Sequence, residues 1–187
     1  SEKLRAAALK SFEVSAFQAA ESLLTLARKL DPERLDTVNL LGQVSFEQKD
    51  YAKAIKLANE ALNIEPDDEQ SLLLLSRSYY ALKDFRLALA AAKLAVNSNR
   101  RTFEGYRELG NIYLQLKDNE NAVSAFKDHL KISPNDSGVL LKLVRLLKSM
   151  DRKEDMNFYF AILKASNPVL ADMEFPELRH LKVETEI

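Results

Sequence analysis

The chain has 187 residues, 47% of them hydrophobic and 29% charged, with 27 Lys and Arg against 28 Asp and Glu for a formal net charge of -1. That balance excludes general disorder, supplies enough apolar residues for a core and offers no bulk charge to attract nucleic acid or an anionic membrane. Zero cysteines exclude disulfides and thiolate chemistry, and four glycines with five prolines are too few for an all-β fold built on tight turns, so helices are expected.

Residues 1–10 alternate charge with alanine and lack the apolar stretch of a secretory signal. The most apolar run, residues 87–96, contains Lys93 and falls short of the roughly 20 residues that cross a bilayer, so no membrane span is expected. The compartment stays open between cytoplasm and periplasm.

Four of the five prolines share one register. Pro32, Pro66, Pro134 and Pro168 are 34, 68 and 34 residues apart, with Arg100 at the skipped place. Units with the proline at position 32 begin at Ser1, Leu35, Glu69, Phe103 and Ser137, and each is predicted as two helices joined by a short turn such as Gln48-Lys49-Asp50-Tyr51 or Lys83-Asp84-Phe85. The first unit carries Leu4, Ala7-Ala8, Ser11, Ala20, Leu24 and Ala27 before its proline. The second reads Val38, Leu41-Gly42, Ser45, Ala54, Ala58 and Ala61; the third reads Leu72, Leu75-Ser76, Tyr79, Ala88, Ala92 and Ala95. The fourth has Tyr106, Leu109-Gly110, Tyr113, Ala122 and Phe126, with His129 where a small residue is usual, and the fifth keeps Leu143, Leu147 and Phe160 with Met156 in place of alanine.

Steric reasoning explains these positions. Gly42, Ala54, Ala88, Gly110 and Ala122 stand where a larger side chain would push paired helices apart, while leucines and aromatics fill the remaining gap. Each proline ends a second helix, and Asp67 or Asp136 just beyond it is placed to cap the next one.

The landmarks at these offsets resemble the tetratricopeptide repeat (TPR) family over residues 1–168. The resemblance implies an all-α, right-handed superhelical solenoid of antiparallel helix pairs, in five units (1–34, 35–68, 69–102, 103–136 and 137–168). Residues 169–187 contain no sixth unit, but Val169, Leu170, Met173, Phe175, Leu178 and Leu181 are apolar enough to form a capping segment. The family likeness further implies a non-catalytic scaffold or adaptor that holds a peptide or helix of a partner protein in the concave groove, as in secretion, envelope, pilus or chaperone assemblies. By the family's first-helix offsets, the groove candidates are Asn39, Gln43, Phe46, Arg77, Tyr80, Arg107, Asn111, Arg145 and Lys148, with Arg5, Phe12 and Glu47 beside them. Recurring arginines suit an acidic segment or chain terminus, or else a solvated face paired with Glu104 and Glu108. The chaperone-tail pattern is broken because Lys142 stands where asparagine is needed.

Two other readings remain: a structural module that self-associates, through its tail for instance, and a regulatory arm of a longer protein. Residues 69–168 hold 16 basic and 11 acidic residues and residues 169–187 two and five, so the tail is complementary to the later units, either as a cap or as a self-ligand in the groove.

Chemistry-bearing motifs are sparse. His129 falls at a helix-packing position and is read as a partly buried structural residue; His180 stands alone in the tail. The pair Gly105 and Gly110 is spaced as in a phosphate loop but is followed by Asn111-Ile112 and lies within a predicted helix. No enzyme activity, cofactor, metal or nucleic-acid partner is expected.

Overall fold

In the computed structural model, which describes residues 1–99 and 101–179, each predicted unit folds as a helix pair reversed by the same five-residue geometry. Ser15, Lys49, Lys83, Lys117 and Asp151 all adopt positive φ, between 54° and 64°, and they recur every 34 residues. At the second of these the amide of Lys49 donates to Phe46 O at 2.8 Å and that of Asp50 to Ser45 O at 2.9 Å, closing the first helix with its last carbonyls satisfied. The next residue then opens the second helix. The Asp50 carboxylate accepts from the Lys53 amide, Asp84 from Leu87 and Asp118 from Asn121. Ala16 and Arg152, at the same place in the outer units, make no such side-chain bond.

The helices run α1 (Glu2–Glu13), α2 (Phe17–Leu30), α3 (Leu35–Glu47), α4 (Tyr51–Ile64), α5 (Glu69–Ala81), α6 (Phe85–Ser98), α7 (Phe103–Gln115), α8 (Asn119–Ile132), α9 (Ser137–Ser149), α10 (Lys153–Ser166) and α11 (Pro168–Glu174), then a 3₁₀ turn (Pro176–Leu178). No strand occurs among the described residues. The first ten are the predicted pairs, and the all-α, TPR-like architecture is as expected. Between pairs, Asp68, Thr102, Asp136 and Asn167 cap the following helices through side-chain oxygens. The cap of α5 is therefore Asp68 and not Asp67, because the helix starts at Glu69, one residue later than a cap at Asp67 requires.

Residues 1–108 and 109–187 form two compact units. Within the first, Ala8, Ala20, Ala27, Ala54, Ala58, Ala61, Ala88, Ala92 and Ala95 are all fully buried, so the helices approach over methyl groups with leucines between them. Within the second, Phe126, Leu140, Leu143, Leu147, Phe160 and Leu163 build a larger-side-chain core. There Gly110 makes room for Phe126: a methyl group added to Gly110 would land on the buried ring.

The segment after α10 belongs to that second core. Ala171 and Phe175 are buried in the same cluster as Met156 and Phe160, and the Phe175 and Phe160 rings meet edge to face at 5.7 Å. Pro168 is the first residue of α11 and Asn167 its cap, so the proline that marks the unit boundary starts a helix at once. His180 and Leu181 lie outside the described residues.

The two helical glycines of the second unit should respond oppositely to alanine. Gly110→Ala should lower stability by about 1–3 kcal/mol through overpacking against Phe126. By contrast, an added methyl at Gly138 meets only the Asp136 carboxylate at 3.3 Å, so Gly138→Ala should be neutral or stabilising, by up to about 1 kcal/mol. Urea unfolding of both variants checks the pair, and equal losses would contradict the packing.

Candidate functional site

First helices of consecutive pairs line one face of residues 1–108. Because these helices repeat with a fixed phase, side chains at equal offsets fall side by side, and two adjoining cavities form over α1, α3 and α5. One, of about 320 Å³, is lined by Phe12, Gln43, Phe46, Glu47, Gln70, Leu73, Leu74, Arg77 and Glu104. The other, of about 440 Å³, shares Gln43 and Gln70 and extends over Arg5, Leu9, Asn39 and Leu40.

The expected residues divide as follows. Gln43, Phe46 and Arg77 come together, the Arg77 guanidinium carbon lying 5.8 Å from the centre of the Phe46 ring. Asn39 lines the adjoining cavity, but it is buried and both ends of its amide are used internally: Nδ2 donates to Asp68 at 2.9 Å, and Oδ1 accepts from the Ser71 hydroxyl at 2.7 Å. That network fastens α3 to the cap of α5. Tyr80 turns its ring edge-on to Phe85 at 5.4 Å, and Arg107 is half-buried on α7; neither lines the two cavities.

In residues 109–187 the expected cations and amide have partners from their own unit. Lys142 Nζ donates to Asn111 Oδ1 at 2.7 Å. Arg145 pairs with Glu174 and Lys148 with Glu177, so two carboxylates of the terminal segment meet two cations of α9 at matching three-residue spacing. The Lys148 ammonium also lies 5.7 Å from the centre of the Phe175 ring, and its hydrogen bond is the main cause holding the Glu177 carboxyl below its usual range. Ala171 and Phe175 of the terminal segment are thus buried in this unit's core, while Glu174 and Glu177 meet Arg145 and Lys148.

Gln70 and Leu73 were missed as lining residues. Gln70 occupies position 2 of its unit, which is one of the inner offsets, so the same rule applied to every unit would have found it. Leu73 occupies position 5, the offset that Asn39 holds in the preceding unit, so the same rule would have found it too, although its side chain is buried.

The histidine expected to be partly buried is completely so. His129 Nε2 lies 3.0 Å from Asp136 Oδ2, and the other Asp136 oxygen accepts from the Gly138 and Val139 amides at the start of α9. Burial works against the Asp136 charge, but the Val139 amide, His129 and the Gly138 amide together hold its pKa below the ordinary carboxylate value. The pair joins the turn between α8 and α9. Among the described residues no helix is long and apolar enough to cross a membrane.

The family model of the ChAPs (Chs5p-Arf1p-binding proteins) matches residues 3–153. No curated protein matches the sequence. Among solved structures, the thermophilic TPR protein TTC0263 of Thermus thermophilus aligns with a TM-score of 0.72 at 18% identity, covering 94% of this chain and 95% of that one. PilF of Pseudomonas aeruginosa gives 0.81 at 18% identity, over 89% and 76% of the two chains, and a MamA structure gives 0.76 at 16%, over 87% and 95%. At these identities the likeness establishes the TPR-like fold.

A carboxylate whose folded pKa is lowered stabilises the fold above its unfolded pKa, and that contribution is lost as pH falls through the folded value. Asp136→Asn should therefore cost stability at neutral pH, and its deficit against the unsubstituted chain should shrink as pH drops below about 4. Thermal melts across pH test this, and a deficit independent of pH would contradict it.

Proposed function

We propose, from the premise that the chain belongs to the ChAPs family of Chs5p-Arf1p-binding proteins, that the inner face of residues 1–108 docks a segment of a partner protein. A TPR-like fold is a protein–protein interaction scaffold, and such scaffolds are generally non-catalytic. The observation that carries the finer reading is the cavity over α3 and α5, where Arg77 stacked on Phe46 stands beside the amides of Gln43 and Gln70. Phe12, Phe46 and Leu73 suit an apolar side chain; the two glutamine amides suit a peptide backbone; Arg77 suits a carboxylate. The ligand is therefore a peptide or helix with an apolar residue next to an acidic one.

Family names point the same way without naming this chain's partner. Chs5p and Arf1p are the proteins that ChAPs bind, and a protein ligand of this kind is the corresponding proposal here. Self-association through the tail is less favoured, because Ala171 and Phe175 are buried in their own unit's core.

The test places a photo-crosslinking residue at Gln43 or Gln70 and identifies the captured peptide by mass spectrometry. Arg77→Glu combined with Phe46→Ala should cut capture about tenfold or more while leaving the helical signal intact. Capture unaffected by both changes, or crosslinks confined to the opposite side of the unit, would overturn the assignment.

A further inference from the structure

The outer helices of residues 1–108 carry a second surface, independent of the inner cavities. Between α2 and α4 the contact is ionic: Lys53 pairs with Glu21, and Arg28 pairs with Glu60 at 2.7 Å. Each pair spans 32 residues, so the 34-residue repeat carries the same register forward from α4 to α6. There the corresponding residues are Ile55 with Leu87 and Leu62 with Leu94. All four charges have been replaced by aliphatic side chains.

That replacement leaves apolar surface uncovered. Ala58 and Ala91 pack in one buried cluster and hold α4 against the α5 and α6 core, with Ile55 and Leu62 half-buried against it. Leu87 and Leu94, one helical stripe on α6, remain 46% and 55% exposed, with exposed Ala90 between them. A helix apolar on all sides is ordinarily buried on all sides. The rim supplies the second observation. Lys56 on α4 and Arg86 on α6 are exposed, α6 contains no acidic residue, and the single acid of α4, Glu60, is paired away toward α2.

We propose that the furrow between α4 and α6 docks an acidic amphipathic helix of a partner protein. Leu87 and Leu94 are seven residues apart, about 10.5 Å along the helix, which matches the i, i+7 repeat of an incoming apolar stripe. The exposed Ala90 between them permits close helix approach, and carboxylates flanking the stripe meet Lys56 and Arg86. The scaffold then has two faces, an inner one for the segment described above and an outer one for a helix, and bridges two partners.

The experiment titrates the full chain against a fluorescein-labelled helical peptide of about 18 residues, with leucine at i, i+3, i+4 and i+7 repeats and glutamate on both flanks, read by anisotropy. Saturable binding is expected, weakening with added salt. Leu87→Lys with Leu94→Glu, which restores the residue types of the α2–α4 contact at exposed positions, should weaken it about tenfold or more. Lys56→Glu with Arg86→Glu should weaken it and reverse the salt trend, whereas Arg77→Glu on the inner face should leave it unchanged. Absence of saturable binding, or undiminished binding by the leucine double variant, overturns the proposal. Binding to phosphatidylserine vesicles in place of the peptide would assign the furrow to a membrane surface, and leucine-dependent dimerisation in sedimentation would assign it to a second copy; either result also overturns it.

Discussion

A left-handed residue every 34 positions governs the rest of the structure. An L-residue at positive φ is strained by about 1–2 kcal/mol, yet Ser15, Lys49, Lys83, Lys117 and Asp151 all accept it. Their amides and those of the following residues return to the carbonyls of the first helix, which ends it and reverses the chain within a few residues. Asp50, Asp84 and Asp118 then begin the second helix at once through their carboxylates. With so short a connection the two helices have one phase relative to each other, and the repeat copies that phase. Side chains at one offset consequently form a face.

From that phase come both the core and the surfaces. Offsets held by alanine and glycine fall between helices, where Ala54, Ala88 and Ala122 are fully buried. Offsets 2, 9 and 12 of the first helices fall on the inner face, where Gln70, Gln43, Arg77, Phe12 and Phe46 converge. Offsets on the second helices face their neighbours across the outer surface, ionic at one junction and aliphatic at the next. In residues 109–187, Ala171 and Phe175 of the terminal segment are buried in the core, and Glu174 and Glu177 take up Arg145 and Lys148.

The repeat was legible because it is written in residues whose physics is local. Prolines cannot continue a helix, small residues permit close approach and aspartates cap, so the ten repeat helices could be read from spacing alone. Lys49, Lys83 and Lys117 were not legible as left-handed residues, since lysine carries none of the signal that glycine or asparagine would give at such a turn. Long-range pairing was hidden for another reason. Arg145 and Arg77 occupy the same offset, but Arg145 meets Glu174 while Arg77 meets the Phe46 ring, and this depends on what lies 29 to 31 residues away. Asn39 reads as a peptide-holding amide until Asp68 and Ser71 are placed beside it.

The turn itself offers the most direct test, because relieving its strain should strengthen the fold only if the strain exists. Lys83→Gly, at a φ of 63°, should raise the unfolding free energy by about 0.5–1 kcal/mol, read as a higher urea midpoint at unchanged slope, since glycine adopts this conformation freely and the side chain is exposed. Lys83→Val should lower it. A midpoint that falls with glycine, or that is indifferent to both changes, would contradict a left-handed residue at this position and with it the register on which the inner and outer faces rest.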